Sequence, residues 1–191
     1  MAKIRKECVS IETLRTLVSY DPATGTLTWL PRRPGHFRGS QKVSARAAAA
    51  WNTRYAGTPA LASIERSGYG HGDLMGERYK AHRVAWALHY GSWPDLPIDH
   101  INGNPADNRI ENLRQATGSE NMRNQRISSA NKSGVTGVCW AAHRDKWSAQ
   151  IKMDGRKIHL GLFTSLDEAA AARKAAERRY GFHPNHGRKA A

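Results

Sequence analysis

Asp99 and His100 stand side by side, with Asn112 and Asn121 downstream. Hydrolysis of a phosphodiester needs an activated water, neutralisation of the charge growing on phosphorus, and stabilisation of the leaving oxygen. An imidazole can serve the first, and one divalent cation the other two. A carboxylate and an amide oxygen are hard donors that suit an ion such as Mg²⁺. At its ordinary pKa of about 6.5, His100 is mostly neutral and basic at pH 7. Neighbouring side chains on a strand point to opposite faces. Asp99 and His100 must therefore lie at a strand end or a bend to address one phosphate together.

The elements that position these groups can be read from pattern. Ile98 and Ile101 flank Asp99-His100, which predicts a short strand, and Asn102-Gly103 is a turn signal. Asn104, Asp107 and Asn108 read as turn formers. Thr117-Gly118-Ser119-Glu120 matches a capping box, which predicts a helix carrying Asn121, Asn124 and Gln125. Upstream, residues 81–90 have helical spacing, with Val84, Ala85 and Leu88 on one face. His82 and His89 on this helix read as packing or surface residues. Residues 10–80 look short and broken. Asp21-Pro22 and Thr24-Gly25 form a turn before a strand containing Leu27 and Trp29. Residues 32–41 read as a basic loop, and Gly-containing turns near Gly68 and Gly76 punctuate further hairpins.

After a polar linker at 126–133, the pattern becomes regular. Residues 135–142, 146–153 and 156–163 predict three strands, with Asp154-Gly155 as a two-residue hairpin turn. Alternation puts Trp147, Ala149 and Ile151 on one face and Ser148, Gln150 and Lys152 on the other; Ile158 and Leu160 oppose Lys157 and His159. Ser165-Leu166-Asp167-Glu168 is a second capping box, opening an alanine-rich helix to about Tyr180. Trp29, Trp51, Trp86, Trp140 and Trp147 are expected in the core. Residues 183–191, with His183, His186 and Arg188-Lys189, read as a basic tail of no clear fold.

Lys plus Arg number 30 against 16 Asp plus Glu in 191 residues, a net +14. Such a balance makes a polyanion the leading partner, because each phosphate contacted by Lys or Arg releases counterions. Residues 131–191 hold 12 basic and 5 acidic side chains, so the C-terminal part is the denser polycation. The longest apolar run, residues 47–51, is far below the ~20 residues of a membrane span. The N-terminus is basic with no apolar stretch behind it, so no secretory signal is read. Cys8 and Cys139 are far apart and lack a Cys-x-x-Cys partner, which excludes a zinc ribbon or a disulfide framework and fits a reducing, cytoplasmic setting.

Asp99-His100, Asn112 and Asn121, with Asp107-Asn108-Arg109-Ile110-Glu111-Asn112-Leu113-Arg114 between, closely resemble the HNH endonucleases of phages and mobile introns in their ββα-metal form. The resemblance extends upstream through Tyr79-Lys80-Ala81-His82-Arg83-Val84-Ala85-Trp86 and the Tyr20-Asp21-Pro22 opening, and covers about the first 125 residues. It implies that Asp99 is the first metal ligand, His100 the general base, Asn112 the residue tying the loop to the motif, and Asn121 the second metal ligand. Many relatives have His at the last position, so Asn121 favours one Mg²⁺ or Mn²⁺ over Zn²⁺. Arg114 and Arg123 are the better phosphate-clamp candidates, ahead of Arg109.

Residues 132–182 resemble the plant ethylene-response-factor DNA-binding domain, through Gly134-Val135-Thr136-Gly137-Val138, Trp147-Ser148-Ala149-Gln150-Ile151 and Ile158-His159-Leu160-Gly161-Leu162-Phe163. The positions matching DNA contacts include Cys139, Ala141, Arg144, Gln150, Lys152, Lys157 and His159. Together these resemblances imply an α+β chain. A nuclease domain with preceding hairpins occupies 1–125, a linker 126–133, and a three-stranded antiparallel sheet packed on one helix 134–182. Double-stranded DNA is the expected partner, with no membrane, in a bacterial or phage-infected cell; a monomer would nick, a homodimer could cut both strands. A catalytically inactive DNA-binding regulator and an RNA-directed protein stay open as alternatives.

Overall fold

The computed structural model describes residues 9–128, 130–153 and 155–188. The basic start through Cys8, Ser129 of the linker, Asp154 of the hairpin turn, and Lys189 of the tail lie outside the described residues. The chain forms two units that divide between Gln115 and Ala116.

The first unit begins with α1 (Ile11–Leu17), whose N-cap Ser10 accepts from the Thr13 amide, and which buries Leu14 and Leu17. β1 (Val18–Asp21) and β2 (Thr26–Trp29) pair antiparallel around the Asp21-Pro22 turn. α2 (Gln41–Tyr55) follows. β3 (Ser63–Ile64), β4 (Gly70–Leu74) and β5 (Glu77–Lys80) form a three-stranded antiparallel sheet. α3 (Ala81–Tyr90) buries Ala81, His82, Val84, Ala85 and Ala87, and ends on Gly91 in the left-handed conformation that only glycine adopts without cost. Leu14, Leu17, Val18, Leu27, Leu74, Tyr79 and Val84 make the core of this unit. Each fully buried Leu contributes about 1.5–3 kcal/mol.

β6 (Ile98–His100) and β7 (Leu113–Gln115) form a two-stranded antiparallel ladder. Ile98 and Leu113 pack on Ala85 of α3, so the helix is the platform for the ladder.

The second unit opens with α4 (Gly118–Arg123), capped by Thr117 and Glu120 as its sequence predicts. β8 (Val138–Ala141), β9 (Lys146–Met153) and β10 (Arg156–Phe163) form an antiparallel sheet in the order β10-β9-β8. α5 (Leu166–Arg179) carries the second capping box. Val138, Ala149 and Ala169 are its buried centre, flanked by Trp147, Leu160, Phe163 and Leu166.

Several features depart from the sequence reading. Residues 10–80 contain two helices that pattern alone did not suggest. In α2 the alanines at 47–50, the best helix formers, extend the helix well beyond the basic loop. β8 is shorter than expected because Gly137 sits at φ +76°, where a Cβ would collide with the Gln150 carbonyl oxygen. Trp140 is 46% exposed, and stacks edge-on against Trp147 rather than entering the core.

The division also falls earlier than expected, placing α4 with the C-terminal unit. The segment after α4 is tied to the C-terminal stretch: the amides of His183 and Gly187 donate to the Arg123 and Gln125 carbonyls, and that of Ile127 to Arg188. Residues 183–188 are therefore no loose tail. His186 is buried, with Nε2 3.2 Å from Arg173 Nη2. Arg173 in turn donates to Glu177 and to the Gln150 carbonyl.

Candidate active site

In the β6–β7 ladder Asp99 lies opposite Arg114, and His100, the last residue of β6, opposite Leu113. The chain then turns at Asn102-Gly103, where the Gly103 amide donates to the His100 carbonyl and φ is +69°. Asn112 closes the loop. Its Oδ1 accepts from the Asn102 amide at 2.8 Å, and its Nδ2 donates to the Asp107 carbonyl at 2.8 Å. Both ends of this buried amide hold the loop, so Asn112 stands as a positioning residue and not as a group facing a substrate. Asp107 grips Arg109 in a two-oxygen fork of 2.9 and 2.8 Å. That guanidinium holds the Asp107 carboxyl down at about 2. Arg109 thus belongs to the loop, paired with both Asp107 and Glu111.

His100 and Asp99 are both buried. His100 Nε2 lies 3.2 Å from Asn108 Oδ1. Its ring centroid is 5.6 Å from Tyr69 and 5.3 Å from His82, the latter edge-on. Burial pushes the imidazole below its ordinary pKa, while the Asn108 contact and the Asp99 carboxylate pull the other way. The ring is neutral at pH 7. His82, buried beside it, is driven down to about 3 by burial and by His100.

Three of these neighbours escaped the sequence reading. Asn108 reads as a turn former, yet it is buried and faces the histidine. Tyr69 reads as turn punctuation and His82 as helix packing. The available signal was His82's place one residue before Arg83-Val84-Ala85, on a helix whose buried face supports the ladder.

The N-terminal hairpin braces the same loop. Tyr20 Oη donates to the Asn108 carbonyl at 2.7 Å, and the Ile110 amide to the Pro22 carbonyl at 3.1 Å. Burial raises Tyr20 to about 12, so it remains a donor. Gly25, at φ +76°, approaches so closely that a Cβ would lie 2.5 Å from the Arg109 amide nitrogen.

Arg114 departs from its expected role as well. Its Nε and Nη2 both donate to Asp99 Oδ2, at 3.0 and 2.9 Å. It orients the carboxylate. Among the described residues no three His, Cys, Asp or Glu side chains gather as a metal cluster. The donor chemistry of the expected set, one carboxylate and one amide oxygen, nonetheless fits a hard divalent ion.

In the second unit, Asn121 is the fourth residue of α4, half-buried, and Arg123 is the last. On the sheet, Lys157 pairs with Lys152 and His159 with Gln150. The four side chains share the face opposite the apolar core, and Lys152, Lys157 and His159 are exposed. Arg144 is exposed in the turn between β8 and β9. Gln150, Lys152, Lys157, Met122 and Arg123 border one cavity of about 490 Å³.

Residues 79–123 match the family model of the HNH endonucleases, a span that includes His82, Asp99, His100, Asn108, Asn112 and Asn121. The chain is 35% identical over 83 residues to Protein 3.8 of Escherichia phage T7, covering 41% of this chain and 69% of the phage protein. A solved structure on DNA binding and cleavage by the HNH homing endonuclease I-HmuI is similar at 22% identity with a TM-score of 0.38. That similarity covers 61% of this chain and spans 56% of the other. No described helix is long and apolar enough to cross a membrane.

Proposed function

We propose, from the premise that the chain belongs to the family of phage T7 Protein 3.8 and carries an HNH endonuclease domain at residues 79–123, that it hydrolyses phosphodiester bonds of double-stranded DNA. The observation that carries this reading is the buried Asp99-His100 pair closing β6, with His100 turned onto Asn108 inside the matched segment.

His100 is the general base. Its neutral ring holds a lone pair that can take a proton from water. Asn108 fixes the rotation of the ring, with Tyr69 and His82 as its walls. Asn112 and the Asp107–Arg109 fork hold the loop that presents Asn108. Asp99, oriented by Arg114, would hold a divalent cation, Mg²⁺ or Mn²⁺; Asn121 is the second ligand that the sequence resemblance assigns. When bound, such an ion neutralises charge on the phosphate and stabilises the leaving oxygen. The second unit supplies DNA binding through Arg123, Arg144, Gln150, Lys152, Lys157 and His159, in the manner of an ethylene-response-factor-like sheet in a groove. Phosphate contacts set affinity and base contacts set sequence.

The test is incubation with supercoiled plasmid and Mg²⁺ or Mn²⁺. Nicked or linear product is expected, and His100→Ala removes it while duplex binding persists. A folded protein that leaves plasmid intact with every divalent ion refutes the enzyme. Retained duplex binding in that case would favour a DNA-binding regulator.

A further inference from the structure

α2 and the turn before it are not used by the site described above. Between Asp21 and Glu65 the chain has six Arg and Lys and not one Asp or Glu. One of the six, Arg32, is buried. Its guanidinium carbon lies 5.1 Å from the Trp29 ring centroid and 4.7 Å from that of Trp51. Its backbone is clamped by Asn52, which accepts from the Arg32 amide at 2.6 Å and donates to its carbonyl at 3.0 Å. These contacts fasten α2 to the end of β2. Ser44 Oγ, donating towards the Phe37 and Gly39 carbonyls, fastens its other end.

The remaining five, Arg33, Arg38, Lys42, Arg46 and Arg54, are exposed, and none makes an ion pair among the described residues. Lys42 and Arg46, four residues apart, share one face of the helix. The buried Ser44 and Ala48 lie on the other. Beside the two cations the outward face carries the small, exposed Ala49, Ala50 and Thr53, with Val43, 56% exposed, along its edge. The helix is thus held on one side, while the other combines cations in excess with mostly small side chains.

We infer that α2, with the turn of residues 33–38, is a second duplex-DNA contact carried by the nuclease unit, gripping the phosphate backbone without reading sequence. The occupant follows from charge complementarity. Five exposed cations within 22 residues, with no acidic residue between Asp21 and Glu65, repel each other, and a phosphate backbone relieves this by counterion release. The inference rests on the nuclease reading and adds where that unit holds its substrate.

The test uses the full chain with Lys42→Gln, Arg46→Gln and Arg54→Gln combined, and fluorescence anisotropy on a duplex of arbitrary sequence across a salt series. Each lost phosphate contact lowers the slope of log affinity against log salt by about 0.9, so a fall of about 2–3 is expected. Far-UV circular dichroism should be unchanged, since glutamine is a good helix former. A second variant, Arg33→Gln with Arg38→Gln, probes the turn without touching α2, and should lower the slope in the same way. A wild-type chain that cleaves DNA, with unchanged slopes in both variants, overturns this inference alone. A wild-type chain that binds but never cleaves, with lowered slopes in the variants, supports the inference while refuting the nuclease. Tighter wild-type binding to structured RNA, with the slope lowered for RNA only, overturns duplex DNA as the occupant.

Discussion

An amide helps to set the rotation of His100. Asn108 Oδ1 lies 3.2 Å from its Nε2, and the rings of Tyr69 and His82 lie beside it. Asn108→Ala removes the orienting contact and leaves the DNA-facing cations in place. Partners that orient a reacting histidine are typically worth about 10–100-fold in activity. The expected outcome is a plasmid-nicking rate lowered by that factor with duplex affinity unchanged; a parallel loss of binding would show that Asn108 only maintains the fold. The legible part of the site was Asp99, His100 and Asn112, because their types and spacing follow one chemistry. Asn108, Tyr69 and His82 were illegible for a physical reason. Each has a sufficient local explanation, as turn former, turn punctuation or helix packing, and only tertiary contact brings them to one ring. Arg114 shows the opposite error: a cation near a candidate site looks free in sequence, but across the ladder it meets Asp99.

At the scale of elements, the β1–β2 hairpin acts as a strut. It reaches the backbone of residues 108–110 through Tyr20, Pro22 and Gly25. Gly25→Ala places a Cβ into that backbone from a left-handed residue. It should cost about 1–3 kcal/mol, read as a lower denaturation midpoint. Nicking should fall further than stability alone explains, because the loop that bears Asn108 must move; full nicking activity in a destabilised variant would argue against the strut. The capping boxes and the β9–β10 hairpin were readable because caps and alternation are local signals. α2 was not, since its apolar residues lack a clear stripe: it stands on Ser44, Ala48, Trp51 and Asn52. The early end of the first unit was also hidden, because the bonds that draw α4 to the C-terminal unit join residues distant in sequence.

Across the whole molecule, buried histidines give stability a common pH dependence. Burial drives His82 to about 3, and lowers His186 against the upward pull of Glu177 and with the downward push of Arg173 and Lys174. An imidazole held neutral in the fold gains a proton on unfolding once the pH drops below its unfolded value of about 6.5. The stabilisation is therefore complete above that pH and declines as the pH falls towards the folded-state values. Denaturation midpoints of the full chain should be lower at pH 5 than at pH 7.5, above the range of ordinary carboxylates, and His82→Phe should flatten the decline of the first unit. Equal midpoints at the two pH values would contradict the burial of these rings. The union of residues 123–127 with 183–188 also bears on biosynthesis. During translation the stretch behind Asn121 must wait for its mate until the entire sheet has left the ribosome. A message cut short ahead of Phe182 would leave the carbonyls of Arg123 and Gln125 without the amides that meet them, so residues 123–127 settle last, whatever their early place in the chain.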